Sequence, residues 1–267
     1  MTSLLTQFTA VSSTTSRQST PGSRFSWRRL PWWIELATII TGYVAYEVLR
    51  AVSPTRAGSA LGNAASVLHV ERWMHIDIEL HLNHALSAHP LLGSAAGLYY
   101  GILHFAVTPI VLGYVWWRRP VDYPRLRSAL VLMSFTALLV FWAWPVAPPR
   151  FALPGAVDTL ITRNVLGAGS AHGVSGLVDA YAAMPSLHVG WAVWCAVAIV
   201  VTVRSRWRYL AWLYPIATTI VVLATANHYI LDAVAGAALS LGMLAVTGSF
   251  AQPAWVQSEV RPLAKAA

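Results

Sequence analysis

Two histidines of this sequence stand forty residues apart, each near the start of a long apolar run. His188 lies in "AAMPSLHVGWA" and His228 lies in "TANHYILDAVAG". A helix of about 20 residues crosses the apolar part of a bilayer, so one span down and one span up return both rings to one membrane face. Asp232 follows His228 at i+4, within reach of its ring. The spacing predicts a site that joins two imidazoles and a carboxylate.

Two further polar residues are predicted at the same face. Arg150 ends the third apolar run in "PVAPPRF", and Ser186 stands two residues before His188. A helix start offers free N–H groups and the positive end of the helix dipole, which suit phosphate. The Ser186 hydroxyl adds a donor, and the Arg150 guanidinium can hold phosphoryl oxygens with its fork. We interpret both residues as phosphate-binding.

These residue types favour phosphoryl transfer through a histidine. Asp232 would hold one ring nitrogen of His228, leaving the other nitrogen as a nucleophile, and would stabilise the positive charge that follows attack. His188 can protonate the departing oxygen and then activate water or an alcohol. This chemistry requires no metal and no cofactor, and its substrate would be a phosphoester.

Three other interpretations use the same residues. A zinc-dependent membrane hydrolase would take His188, His228 and Asp232 as ligands and keep a water in the fourth position. A serine acyl hydrolase would use Ser186 as the nucleophile, although residues at i and i+2 do not face each other on a helix. A transporter would bind substrate with these groups and show no turnover.

The composition indicates which elements position these residues. Of the 267 residues, 57% are hydrophobic and 10% are charged, which is typical of an integral membrane protein. The net charge of +8 resides in short basic clusters between apolar runs, a pattern of membrane topology, so we expect no nucleic-acid partner. The partner surface is the lipid bilayer, and the oligomeric state is left open. Cys195 is the single cysteine, so no intrachain disulfide forms.

We predict an all-α integral membrane fold, a six-transmembrane helix bundle within a catalytic domain of residues 31–250. Residues 1–30 are predicted to be a disordered basic cytoplasmic tail, although their Ser- and Arg-rich composition also resembles an organelle transit peptide. Residues 251–267 form a second cytoplasmic tail. The six spans are Trp32–Val52, Leu91–Trp117, Leu130–Val146, Leu187–Val203, Tyr209–Ala226 and Tyr229–Phe250.

Basic residues orient this bundle. With the amino terminus inside, thirteen Lys and Arg residues lie on the cytoplasmic side and five lie outside. The excess predicts that both termini are cytoplasmic and that the site is extracytoplasmic. The five outer residues are Arg50, Arg56, Arg72, Arg150 and Arg163.

Two segments are expected outside the membrane. Residues 53–90 carry Leu68, Trp73, Ile76 and Leu80 at roughly helical spacing, which predicts an amphipathic outer-surface helix between spans one and two. The alternation in "HIDIELHL" would also suit a short strand. Residues 149–183 form a loop long enough to cover the site as a lid. Six outer histidines show no tight metal-ligand spacing and are interpreted as solvated: His69, His75, His81, His84, His89 and His172.

"MPSLHVGWA" followed by "NHYILD" resembles the type 2 phosphatidic acid phosphatase superfamily, and in particular its inositol phosphorylceramide synthase-like branch with bacterial relatives. The resemblance covers spans three to six. It implies a multi-pass protein of a bacterial plasma membrane, with His228 as the phosphohistidine, Asp232 orienting it and His188 as acid and base. The superfamily's Ser-Arg pair, seven and six residues before the nucleophile, is replaced here by two valines, and Arg150 is expected to substitute.

The synthase-like motif favours transfer of a substituted phosphate to an alcohol such as inositol or a lipid, whereas the breadth of the bacterial relatives favours a lipid phosphate phosphatase. Second-tier residues would then contact substrate or acceptor. Tyr100, His104 and Thr108 fall at i, i+4 and i+8, one polar stripe along span two, and packing against a neighbouring helix is an equal alternative. Asn227 precedes the nucleophile and would bond locally or touch the phosphate.

Overall fold

The computed structural model describes residues 31, 33–37, 40–42, 44, 57–162 and 181–250. Within these ranges the chain is helical, with one isolated parallel bridge between Val146 and Ala182, so the all-α prediction is confirmed for the described residues. The predicted tails, residues 1–30 and 251–267, lie outside these ranges, as do residues 163–180 of the predicted lid.

From Ala57 onward, ten α-helices are described, together with a π-helical turn and a 3₁₀ helix, and residues 33–37 and 40–42 are helical as well. The π-helical turn, Tyr99–Leu103, joins α3 to α4, and the 3₁₀ helix, Arg206–Trp212, precedes α9. The α-helices are α1 Ala57–Trp73, α2 Glu79–Ser87, α3 Pro90–Leu98, α4 His104–Arg118, α5 Tyr123–Ala143, α6 Pro149–Ala152, α7 Thr159–Thr162, α8 Leu187–Thr202, α9 Leu213–Ala224 and α10 Ile230–Val246.

Three of these helical stretches are long and apolar enough to cross a membrane: Pro90–Arg118, Tyr123–Ala143 and Arg206–Ala224. Two shorter apolar helices, α8 and α10, correspond to predicted spans four and six. The predicted first span lies largely outside the described residues. The structure therefore contains several apolar helices of the expected kind, while the count of six spans stays a prediction.

The third predicted span begins earlier than expected. Its helix, α5, starts at Tyr123 rather than Leu130 and includes Arg127. The Arg127 guanidinium lies 2.6 Å from the Glu35 carboxylate, which also accepts a hydrogen bond from the Tyr123 hydroxyl at 3.0 Å. The helix thus continues through a segment that its sequence marks as polar, and the charge on Arg127 in that segment is paired.

Helix α8 lies at the centre of the bundle. It packs against α4, α5, α9 and α10, and its side chains are buried on several faces, among them Val189, Trp194 and Ala198. A helix that is apolar all round is expected to be surrounded by others, and α8 fits this rule. The central position matters because the residues at its start, Ser186 and His188, face several neighbouring helices at once.

The segment between the first two predicted spans contains two helices, α1 and α2, rather than one. The strand alternative for "HIDIELHL" is wrong, because α2 starts at Glu79. Its buried residues, Glu79 and Asn83, stand at i and i+4, which is helical spacing. Both are polar, so the apolar alternation in "HIDIELHL" does not indicate this helical period. Four apolar residues predict the amphipathic helix: Leu68, Trp73, Ile76 and Leu80. Among them, Trp73 is the most exposed.

Candidate active site

The site forms where the starts of α8 and α10 meet. The backbone N–H of Ser186 donates to the backbone carbonyl of Asp232 at 2.9 Å. Glycines permit this close approach: a Cβ built on Gly190 would lie 3.1 Å from the Gly236 carbonyl oxygen, and one built on Gly236 would clash with the Ser186 carbonyl. The two helix starts are thus in direct backbone contact, which fixes the relative positions of the side chains that they carry.

His228 is buried just before α10, and its Nδ1 atom has two oxygen neighbours. The backbone carbonyl of Ala183 lies 2.8 Å away, and Oδ2 of Asp232 lies 3.5 Å away. Nδ1 therefore carries the proton and donates it chiefly to Ala183, with the carboxylate as the more distant neighbour. This leaves Nε2 as the unprotonated nitrogen. The sequence placed Asp232 in this role but did not identify the Ala183 carbonyl.

Asp232 is fully buried and has a second partner. Its Oδ2 atom accepts a hydrogen bond from the backbone N–H of Tyr229 at 2.9 Å, a cap on the first turn of α10. Its Oδ1 atom has no hydrogen-bond partner among the described residues. The carboxylate thus fixes the backbone beside His228 as well as the ring.

The His188 ring lies close to the His228 ring, with ring centroids 5.6 Å apart. Tyr100 stacks on the His188 ring at 4.2 Å and 20°, and His104 meets it edge-on at 4.2 Å. The Nε2 atom of His188 is buried and has no hydrogen-bond partner among the described residues. Two aromatic neighbours therefore hold this ring while one nitrogen stays available for a proton.

The π-helical turn explains the placement of Tyr100 and His104. Tyr100, His104 and Thr108 are all buried on the face of this long helix that meets α8. The extra residue per turn in a π-helix shifts the face that side chains present, and such turns are frequent at functional sites. The Thr108 hydroxyl lies 3.8 Å from the Cys195 sulfur. A small pocket lies beside His188 and is lined by Tyr99, Tyr100, His104, His188, Tyr214, Thr218 and Val222.

Ser186 is the N-cap of α8 and is fully buried. Its Oγ atom accepts from the backbone N–H of Val189 at 3.4 Å, which leaves the hydroxyl proton as a donor. Arg150, in α6, lies close enough to His188 for their charges to interact. Its Nε atom is 3.4 Å from Oδ2 of Asp158, a partner that the sequence did not reveal. One edge of the guanidinium is thus held by Asp158.

Asn227 is buried and bonds locally. Its amide nitrogen donates to the Thr225 hydroxyl at 2.7 Å, and its Oδ1 atom has no partner among the described residues. The preceding residue, Ala226, adopts a positive φ of 53° and accepts a hydrogen bond from the Arg150 backbone N–H at 2.9 Å through its carbonyl. This strained turn joins α9 to His228 and ties it to the Arg150 segment.

Two acids that the sequence analysis overlooked also contact this region. Glu71 and Glu79 accept hydrogen bonds from the backbone N–H groups of Leu231 and Ile230, at 2.8 and 3.0 Å. Sequence spacing could not connect them with α10, more than 150 residues away. Among the residues that the structure describes, no group of three or more His, Cys, Asp and Glu side chains is arranged to hold a metal ion.

Comparison with known proteins identifies the family. The model of the PAP2 superfamily matches residues 65–246, which include every residue placed in the site above. The chain belongs to the PAP2 superfamily. This confirms the resemblance carried by "MPSLHVGWA" and "NHYILD".

One curated relative is the inositol phosphorylceramide synthase catalytic subunit aur1 of Schizosaccharomyces pombe. It is 24% identical over 170 residues, which cover 58% of this chain and 40% of the relative. The chain thus matches about two fifths of the length of that relative. No solved structure gives a significant match to this chain.

Proposed function

We propose that this PAP2-superfamily chain is a membrane enzyme that cleaves a lipid-linked phosphoester on the extracytoplasmic face through a phosphohistidine, as a lipid phosphate phosphatase. The observation that carries the proposal is the pairing of two histidines at the joined starts of α8 and α10. Nδ1 of His228 is occupied by Ala183 and Asp232, and Nε2 of His188 is unpartnered and buried nearby. One ring is thus prepared to attack and the other to move a proton.

In the first step, Nε2 of His228 attacks the phosphorus and the bond from phosphorus to the lipid oxygen breaks. His188 gives its proton to the departing oxygen, so the lipid leaves as an alcohol. The phosphorylated ring of His228 carries positive charge, which the Asp232 carboxylate stabilises. The Ala183 carbonyl keeps Nδ1 protonated and holds the ring in one orientation throughout.

In the second step, His188 removes a proton from water, and the oxygen attacks phosphorus as the phosphorus–nitrogen bond breaks. Inorganic phosphate leaves, and both histidines are back in their starting protonation states, because the proton that His188 takes from water replaces the one it gave to the lipid oxygen. Arg150, the Ser186 hydroxyl and the free N–H groups at the start of α8 would hold the phosphoryl oxygens in both steps. The reaction requires no redox cofactor, and the lipid bilayer supplies its substrate.

The second candidate is transfer of a substituted phosphate from a lipid donor to an alcohol. It is favoured by the match to a synthase subunit and by Leu187, which stands where the phosphatases of the superfamily carry glycine. The chemistry is the same except that an alcohol replaces water in the second step. Tyr100 and His104, beside His188, would then contact the acceptor.

The test offers the purified protein a panel of lipid phosphates, with and without alcohol acceptors, beside a His228→Ala variant. We expect vanadate to inhibit turnover and EDTA to leave it unchanged. The His228→Ala substitution should reduce turnover by at least about 1,000-fold. Released inorganic phosphate identifies the phosphatase, and a phosphorylated alcohol identifies the transferase. Full turnover by His228→Ala contradicts the histidine mechanism, and loss of activity with EDTA alone favours the zinc hydrolase instead.

A further inference from the structure

Glu71 in α1 and Glu79 in α2 are buried acids with no assigned role. Their exposed fractions are 0% and 1%. Among the described residues, neither forms an ion pair with a basic side chain, and no donor group reaches Oε2 of Glu71. The Glu71 and Glu79 carboxyl groups are within hydrogen-bonding reach of each other, provided that one of them is protonated. A buried carboxyl group without a counter-ion is costly, so its retention calls for a physical explanation.

The explanation lies at the start of α10. Three consecutive backbone N–H groups there donate to three carboxyl groups: Tyr229 to Asp232 at 2.9 Å, Ile230 to Glu79 at 3.0 Å and Leu231 to Glu71 at 2.8 Å. The first N–H groups of a helix have no partner within the helix. Two of these three are capped from other helices, so Glu71 and Glu79 fasten the start of α10 to α1 and α2.

This start carries the reacting residues. His228 directly precedes the three capped N–H groups, and Asp232 lies on the same first turn. Displacement of that turn would move the His228 ring away from the Ala183 carbonyl, which lies 2.8 Å from Nδ1. Small displacements of a nucleophile reduce rates strongly because attack requires close alignment.

Charge limits how the two acids ionise. The charged neighbours of Glu71 are Glu79 on α2 and Asp232 on α10. Asp77, in the connection before α2, is a further negative neighbour of Glu79. The Tyr229 hydroxyl lies near both glutamates. Burial raises the pKa of Glu71 to about 8, and the charges of Glu79 and Asp232 add to this effect. Burial also raises the pKa of Glu79. Two adjacent buried carboxyl groups with one helix end between them are expected to hold one proton.

We propose that Glu71 and Glu79 are positioning residues, a pair that shares one proton, caps the start of α10 and thereby holds His228 and Asp232 in place for phosphoryl transfer. The inference rests on the proposed function and adds two residues that act on the reaction through the backbone. Asp77 provides a control for capping. Its carboxylate stands between the two in sequence and acts on Glu79 through its charge, but it pairs with Arg72 at 3.7 Å and is partly exposed, so its loss removes no cap from α10.

The first experiment compares Glu71→Gln, Glu79→Gln, the double Gln variant, Glu71→Ala and Asp77→Asn by hydrogen exchange of the peptide covering residues 226–234. In either single Gln variant, the amide oxygen can still accept the backbone N–H of α10. The amide NH₂ group can donate to the remaining glutamate in place of the shared proton. We expect each to keep exchange protection within about threefold of wild type. The double variant, with two amide NH₂ groups opposed, and Glu71→Ala should each lose about tenfold or more. Asp77→Asn should match wild type.

Turnover provides the readout that separates positioning from simple stability. For Glu71→Ala and the double variant we expect kcat to fall by about tenfold or more with KM little changed, and both single Gln variants to be largely rescued. Unchanged exchange and kcat in Glu71→Ala would overturn the capping role. A Glu71→Gln variant as impaired as Glu71→Ala would overturn the shared proton.

A pH series tests the shared proton without substrate. The ordinary pKa of a glutamate is 4.5, and that of Glu71 is raised to about 8. Between these values folded Glu71 keeps a proton that the unfolded chain has lost, so stability falls as pH rises through this window and levels off above it. We expect the melting temperature in detergent to decline from pH 5 to pH 8, and to decline less in Glu71→Gln. Equal slopes would contradict the pair.

The two proposals fail in different ways. If wild-type protein turns over no lipid phosphate, the proposed function is wrong, and hydrogen exchange and melting still decide whether Glu71 and Glu79 cap α10 with one proton. If turnover is normal in wild type and in every variant of the pair, the function stands and the positioning role is wrong.

Discussion

At the scale of the residue, Asp232 performs two tasks that one substitution can separate. Its Oδ2 atom accepts from the Tyr229 backbone N–H at 2.9 Å and lies 3.5 Å from Nδ1 of His228. In Asp232→Asn the amide oxygen can keep the backbone cap, but the negative charge that the proposed mechanism uses to stabilise phosphorylated His228 is lost. We expect kcat to fall by about 100-fold and KM to change little, measured on the lipid phosphate that wild type turns over best.

Asp122→Asn is the control for this charge. Asp122 pairs with Arg119 at 3.4 Å, beyond the end of α4 that is remote from His104. Its loss should leave kcat near the wild-type value. An Asp232→Asn variant with normal kcat would show that the Ala183 carbonyl alone is sufficient to orient and stabilise His228.

Arg150 is predicted to bind phosphate with the edge of its guanidinium that Asp158 leaves free. Arg150→Lys keeps the charge but not the planar fork, so we expect the inhibition constant of vanadate to rise about tenfold, and further in Arg150→Ala. Asp158→Asn removes the ion pair and keeps the guanidinium, and it should change the constant by less than about threefold. If Asp158→Asn were as impaired as Arg150→Ala, Arg150 would be a structural residue.

The length of the apolar runs alone predicts that His188, His228, Asp232 and Ser186 lie at one place, because a run of membrane length returns the chain to the same face. It could not supply partners that act through the backbone. The Ala183 carbonyl carries no side-chain signal, and Glu71 and Glu79 reach α10 from more than 150 residues away. Such contacts depend on how the helices pack against each other. The spacing of residues in a single sequence does not reveal this packing.

At the scale of the element, the crossing of α8 and α10 depends on Gly236. A Cβ at this position would clash with the Ser186 carbonyl, which is backbone and cannot rotate away. We expect Gly236→Ala to separate the two helix starts, to lower the free energy of unfolding by about 1–3 kcal/mol and to abolish most turnover. Thermal melting in detergent and steady-state kinetics measure the two effects.

Gly242 in the same helix is the matched control. A Cβ there meets no atom within 4 Å, so Gly242→Ala should leave turnover unchanged and stabilise α10 by about 0.5–1 kcal/mol through helix propensity. Equal behaviour of the two alanine variants would contradict the close approach of α8 and α10.

Element boundaries were less predictable than element type. Apolar runs identified the helices, but α5 begins seven residues before its predicted span and includes Arg127, whose charge is paired with Glu35. The outer segment contains two helices, and its buried positions include the acids Glu71 and Glu79, which a hydrophobic pattern counts as exposed. The π-helical turn at Tyr99–Leu103 has no sequence signature, since it inserts one residue into an otherwise regular apolar helix.

At the scale of the whole molecule, the predicted orientation of the bundle in the membrane rests only on the distribution of basic residues. It can be measured directly. Thirteen basic residues on one side against five on the other predict that the site faces outward and that the connection after α8 faces the cytoplasm. Cys195 is buried, so it can be replaced by alanine to give a cysteine-free background. Single cysteines can then be placed at two exposed serine or alanine positions, Ala88 after α2 and Ser205 after α8.

A membrane-impermeant maleimide added to intact cells should label Ala88→Cys at once and Ser205→Cys only after the membrane is permeabilised. Retained turnover and a normal melting profile show that each variant keeps the native arrangement. The reverse pattern would place His188 and His228 on the cytoplasmic side, because α8 begins with the site and ends at the Ser205 connection. Lipid phosphates would then have to reach the site from the inner leaflet, and the positive-inside count would be outweighed by other determinants of insertion.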